Sequence, residues 1–146
     1  MTNLQSQSTT NASSISQAAA VEALNGDQAF LGEWRKSFVA RRDLVVNALN
    51  KIPGLKCASP EGAFYVYPSC AGLIGKKTPQ GATLNNSGDV ATYLLESVGV
   101  AVVPGTAFGL DPYFRISYAT AEKTLTEACS RIAKACAELT GEAKAA

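Results

Sequence analysis

Histidine is missing altogether from the 146 residues. Its absence removes Ser-His-Asp and Cys-His catalysis, together with every imidazole-based metal site. The four cysteines, Cys57, Cys70, Cys129 and Cys136, form no C-x-x-C pair, so their spacing favours reduced core thiols over a redox or metal motif. Cys129 and Cys136 stand seven apart, two turns along one helical face. Reduced thiols point to a cytoplasmic compartment, where the sequons at Asn11 and Asn85 are chance matches. Charge of one sign is also lacking: thirteen basic against twelve acidic residues leave +1. That balance gives no electrostatic ground for a nucleic acid or an anionic membrane as partner. No apolar stretch is long enough to span a membrane, and the amino terminus lacks a signal peptide's basic start and apolar centre. Neither G-x-G-x-x-G nor Gly-Lys-Ser/Thr occurs, so "GTAFG" at 105–109 reads as a structural loop. No acidic cluster has metal-ligand spacing.

What is present describes a globular chain: 47% hydrophobic and 17% charged residues, in a length that suits one domain with a real core. The polar start, 1–14, is low in complexity and reads as a flexible lead-in or a segment that docks elsewhere. A helix is predicted over 13–24, closed by Asn25-Gly26, where a residue tolerant of left-handed geometry follows the last turn. A longer helix, 27–49, carries Leu31, Trp34, Phe38, Val45 and Leu49 as an apolar stripe. Arg35, Lys36, Arg41 and Arg42 mark its wetter side, and Pro53-Gly54 ends the element.

The period then changes. "AFYVY" at 63–67 reads as a strand stopped by Pro68, and 69–86 as an irregular loop in which Lys76 and Lys77 are solvated. Ser87 can cap a helix running to Val98, with Gly99 as its stop. "VAVVP" at 100–104 reads as a short buried strand. A second strand, "FRISY", follows the 105–112 loop. Thr120 can cap the last helix, whose stripe is Ala121, Leu125, Ala128, Cys129, Ile132, Cys136 and Leu139, with Glu122 suiting the dipole in its first turn. This order of elements predicts an α+β sandwich: a small mixed or antiparallel sheet covered by helices.

Arg115 is the one residue with a strong claim to chemistry. Phe114, Ile116 and Tyr118 alternate as a buried face, so Arg115 and Ser117 project from the other. An arginine there either lies in water on an open face or grips a carboxylate with two parallel hydrogen bonds from a rigid strand. The local pattern leaves both open.

"EGAFYVYP", "LLESVGVAVVPGTAFG" and "YFRISYATAEKTLTEACSRI", in that order, together resemble the carboxyl-terminal part of class I pyridoxal-phosphate aminotransferases of fold type I. The likeness is nearest to the bacterial aspartate enzymes, and it extends to "LQSQSTTNASSISQAAAVEAL" near the start. The resemblance implies a small domain over 27–143, preceded at 1–26 by a segment and helix of the large domain and dimer interface, with 144–146 a frayed tail. It places the stretch around Ser8 to Asn11 near a subunit interface, and implies a homodimer. It makes Arg115 the binder of the substrate α-carboxylate, Phe64 a candidate pocket wall and Phe108 a further candidate.

The departures carry as much information. The family's Schiff-base lysine in Ser-x-x-Lys, its Gly-x-Arg phosphate motif, and its asparagine, aspartate and tyrosine contacts to the cofactor have no counterpart here, and are expected to lie before Met1. The resemblance therefore implies a pyridoxal-phosphate enzyme moving an amino group between an amino acid, aspartate first, and a 2-oxo acid. The chain alone is expected to bind no cofactor and to be inactive, since a lysine amine must hold pyridoxal phosphate and shuttle the proton. The other reading is a non-catalytic module that binds carboxylates or a protein partner. Either way, Ile15, Val21 and their neighbours are expected to lie exposed and to favour self-association.

Overall fold

The computed structural model describes residues 2–9 and 11–143; the tail at 144–146 and position 10 of the lead-in lie outside them. The chain divides into two compact units, residues 1–35 and 36–146.

In the first unit the polar lead-in carries a short helix: α1 spans Thr2–Ser8. Within it the Ser6 and Thr9 hydroxyls donate back to the carbonyls of Asn3 and Gln5 at 3.0 Å, a bond that short polar residues make within a helical turn. The next helix, α2 (Ser14–Asn25), ends where expected, but Gly26 is not in left-handed geometry. Its φ is −73°, and its N–H closes the helix by donating to the Glu22 carbonyl. None of the described residues of this unit is buried. Ile15, Val21 and Leu24 are exposed, as are Leu31 and Trp34, so the amino-terminal half of the expected stripe forms no core here. Trp34 packs edge-on against Phe30 at 5.4 Å.

Helix α3 covers Phe30–Leu49 and buries Val45, Val46 and Leu49. Its basic cluster is drier than expected: Arg41 and Arg42 are half-buried. Arg42 pairs with Asp43 at 2.8 Å, and the Arg41 guanidinium lies 5.5 Å from the Phe38 ring centroid. Long basic stems cover apolar surface this way.

The second unit is built on a three-stranded antiparallel sheet of β1 (Tyr65–Val66), β2 (Val103–Pro104) and β3 (Phe114–Ser117), in the order β1-β3-β2. The two outer strands are shorter than expected for identifiable reasons. Ala63 adopts φ 62°, which breaks extended geometry ahead of Tyr65. The Val100 N–H donates to the Leu94 carbonyl at 3.2 Å, so the start of "VAVVP" finishes a helix before it joins the sheet. The central strand is as expected: Phe114 is fully buried beside fully buried Val66, and Ile116 packs against the same core.

Helices α4 (Ser87–Val98) and α5 (Glu122–Ala137) pack on each other, and α4 also packs on β2. The cap of α4 is Asn86, not Ser87: Asn86 Oδ1 accepts from the Asp89 N–H at 3.0 Å, while Ser87 is fully buried. Gly99 at φ 67° ends α4 in left-handed geometry, as a carboxyl-terminal glycine does. Thr120 does not cap α5; the residue flanking it is Ala121, which lacks a capping side chain. Of the expected α5 stripe, Leu125, Cys129, Ile132 and Cys136 are buried, as are Ala135 and, just past the helix, Leu139; Ala128 is half-buried and Ala121 exposed. Between β1 and α4, the irregular segment holds one 3₁₀ turn (Ala71–Leu73), and Lys76 in it is half-buried. All four cysteines are buried and unpaired. Burial pushes the Cys57 and Cys136 thiols up to about 11 and Cys70 up to about 12.

Candidate functional site

Antiparallel register decides what surrounds Arg115. Tyr65 pairs with Ser117 and Val103 with Arg115, and a further bridge joins Ser69 to Tyr113. Residues two apart share a face, so Tyr65 and Tyr67 stand on the same side as Tyr113, Arg115 and Ser117, opposite the buried Phe114. The half-buried Arg115 carries its guanidinium carbon 5.3 Å from the Tyr65 ring centroid and 4.8 Å from that of Phe108. Among the described residues the guanidinium makes no ion pair and no hydrogen bond. Its N–H donors are left free for an outside anion.

Phe108 reaches Arg115 because its loop is pinned. The chain runs from β2 into a 3₁₀ turn (Gly105–Phe108), which Gly109 closes at φ 72°. The Gly105 N–H donates to the Tyr113 carbonyl at 2.6 Å. The Tyr67 hydroxyl meets the carbonyls of Gly105 and Leu110 at 3.3 and 3.4 Å. A Cβ on Gly105 would lie 2.0 Å from the Leu110 carbonyl oxygen and 2.6 Å from that of Tyr113; only glycine fits this approach. Tyr67 also stacks on Tyr113 at 5.4 Å and meets Phe108 edge-on at 6.2 Å. Desolvation and the nearby Asp111 carboxylate raise the Tyr67 hydroxyl above its ordinary value, against the pull of Arg115, so it stays a neutral donor. The same Asp111 accepts from the Ser87 N–H at 2.8 Å, tying the far end of the loop to the amino end of α4.

Of the three residues singled out from sequence, the fold brings Phe108 against Arg115. Phe64 stays apart: it is exposed and touches Tyr65 edge-on at 6.2 Å, while its carbonyl accepts from the Tyr118 N–H at 2.8 Å. Tyr65, Tyr67 and Tyr113 were missed. The signal was available, because in "AFYVY" and "PYFRIS" every second residue shares a face.

A cavity of about 780 Å³ is elsewhere. It lies between α3 and α5, lined by Leu44, Ala48, Ile52, Cys129, Ala133 and Leu139 among others. Another, of about 510 Å³, flanks α4 near Asp89, Tyr93 and Glu96. Neither includes Arg115, Phe64 or Phe108. Among the described residues, no three His, Cys, Asp or Glu side chains are grouped to hold a metal ion. No helix among them is long and apolar enough to cross a membrane.

The family model of aminotransferase class I and II matches residues 1–132. The chain belongs to this family. An aspartate aminotransferase of Rhizobium meliloti (strain 1021) is 60% identical over 139 residues, covering 95% of this chain and 34% of the relative. An aspartate/prephenate aminotransferase of Cereibacter sphaeroides is 56% identical, over 95% of this chain and 35% of the relative. Among solved structures, the aspartate aminotransferase from Rhizobium meliloti superimposes with a TM-score of 0.90 at 60% identity, over 94% of this chain and 34% of that one. The fold is thus the α+β arrangement of fold type I aminotransferases, and the chain spans about a third of the length of the curated relatives it matches.

Aminotransferases of this family use pyridoxal phosphate, which a lysine amine must hold as an imine. The segments that build the Arg115 face, 65–67 and 103–117, contain no lysine. The residues assembled here do not fit the cofactor's attachment site.

Proposed function

We propose that this chain supplies the substrate grip of a transaminase that moves an amino group between an amino acid and a 2-oxo acid, with Arg115 taking the α-carboxylate. One observation carries the reading: a half-buried guanidinium on the central strand, flanked by two rings, without an anion of its own among the described residues. A planar fork of this kind matches a carboxylate through two parallel charge-assisted bonds. Aspartate is the favoured amino acid because relatives carry that name, and the name of one of them extends it to prephenate. The working protein, in this reading, is a dimer using pyridoxal phosphate in the cytoplasm. No lysine of this chain follows a Ser-x-x-Lys pattern, so these residues alone bind carboxylates without transferring an amino group.

Calorimetry of the chain with succinate tests the grip. Saturable binding is expected; Arg115→Gln abolishes it, and Arg115→Lys weakens it roughly 10- to 150-fold, since a bidentate pair to a charged partner contributes about 1.5–3 kcal/mol. Equal affinity in all three proteins would remove Arg115 from the role. A transaminase assay with added pyridoxal phosphate tests the second part. Turnover above the buffer blank would show that these residues suffice for transfer, contrary to the proposal.

A further inference from the structure

We infer that Tyr65 and Phe108 are positioning residues that fix the Arg115 guanidinium before any ligand arrives. The inference deepens the carboxylate reading of Arg115 and rests on it. Arginine has a long, rotamer-rich side chain, and ordering it on binding costs part of what the fork gains. Here the ordering is supplied in advance from two separate elements. Tyr65 comes from β1, the strand hydrogen-bonded to β3, and its ring centroid lies 5.3 Å from the guanidinium carbon. Phe108 comes from the loop after β2, at 4.8 Å. Both distances are within the range where a ring's negative face attracts a cation.

A ring engages the charge without consuming an N–H, so the fork keeps its full donor set for a carboxylate. A carboxylate partner in the chain would hold the arginine equally well, but it would occupy the site and repel the ligand. The aromatic hold avoids that conflict. Phe108 is itself held in place by the pinned 105–110 loop and by its edge contact with Tyr67. Tyr65 and Phe108 remain 38% and 51% exposed, more than a residue serving only the core would be.

The test separates position from packing. ¹⁵N relaxation of the Arg115 Nε–H in the 146-residue chain reads the order of the guanidinium without any ligand, and succinate calorimetry reads its use. Tyr65→Leu and Phe108→Leu keep apolar bulk but remove the ring; Tyr65→Phe and Phe108→Tyr keep the ring. The leucine variants are expected to lower the Nε order parameter and to weaken succinate about two- to five-fold per ring, while the ring-keeping variants match the wild type in both. Both side chains are substantially exposed, so none of the four is expected to unfold the chain, and thermal melts check this. An order parameter unchanged in the leucine variants overturns the inference. So does an order parameter that falls while affinity stays the same. If the wild type binds no succinate yet the order still falls on ring removal, the carboxylate reading fails while the aromatic hold on Arg115 is upheld.

Discussion

Gly105 is where one added methyl group tests the architecture of the site. Alanine there places a Cβ 2.0 Å from the Leu110 carbonyl oxygen, 2.6 Å from the Tyr113 carbonyl oxygen and 2.8 Å from the Tyr67 hydroxyl. Two of these are backbone atoms from different segments, so no side-chain rotation relieves the contact; the 105–110 loop must move off β3. Overpacking of this kind costs about 1–3 kcal/mol. The shift also strains or breaks the Tyr67 hydroxyl contacts at 3.3 and 3.4 Å, adding about 1 kcal/mol for a hydrogen bond of ordinary net worth. The total is about 2–4 kcal/mol, which urea titration resolves and which lowers Tm by roughly 8–16 °C for a domain of this size. Gly109→Ala is the control. Gly109 has open space around the added carbon but sits at φ 72°, so it pays only the left-handed penalty of about 1–2 kcal/mol. Because the Gly105 variant displaces Phe108, it alone is expected also to weaken succinate binding. If Gly105→Ala costs no more than Gly109→Ala, or leaves succinate affinity untouched, the account of a pinned loop presenting Phe108 is wrong.

Two further expectations concern the core. Ser87 is fully buried and its hydroxyl has no hydrogen-bond partner among the described residues, so Ser87→Ala is expected to leave stability unchanged or raise it by up to about 1 kcal/mol; a loss of that size in urea would show that the hydroxyl is paired. The Cys57, Cys70 and Cys136 thiols hold their protons to about 11, about 12 and about 11, against an ordinary value of 9.0. Above that ordinary value the unfolded chain binds fewer protons than the folded one. Stability is therefore full below about pH 9 and falls as the pH rises toward about 11, by at most about 1.4 kcal/mol per pH unit for each thiol. Urea midpoints at about pH 8 and about pH 10.5 measure it, and Cys70→Ala is expected to make the fall shallower; a flat profile would mean the thiols ionise as freely folded as unfolded.

Much of the chain was legible because its signals are local. The stop at Gly99, the buried face of Phe114 and Ile116, and the α5 stripe from Leu125 to Leu139 follow from the periods of helix and strand. Expectations failed where two neighbouring residues could do the same job, or where a partner far along the chain had a say. Asn86 took the cap from Ser87, because Ser87 turns into the core and its N–H goes to Asp111, twenty-four residues away. Thr120 lost its capping role to a start two residues later. The strand at 100–104 shortened because its first N–H went back to α4. Leu31 and Trp34 fit a helical stripe by spacing, yet spacing alone does not say what will cover a face.

The sequence by itself determined that histidine and paired-cysteine chemistry are excluded, that the chain is α+β, and that Arg115 projects from the face opposite Phe114. Each of these depends only on composition or on residues within a turn or two. The tertiary structure decided what Arg115 meets there. Antiparallel register brought Tyr65 alongside from fifty residues upstream, and a loop held by Gly105 and Tyr67 swung Phe108 against the guanidinium. Neither neighbour is readable from the residues next to Arg115, because cross-strand pairing is a property of register and loop closure, and both are set by contacts distant in sequence.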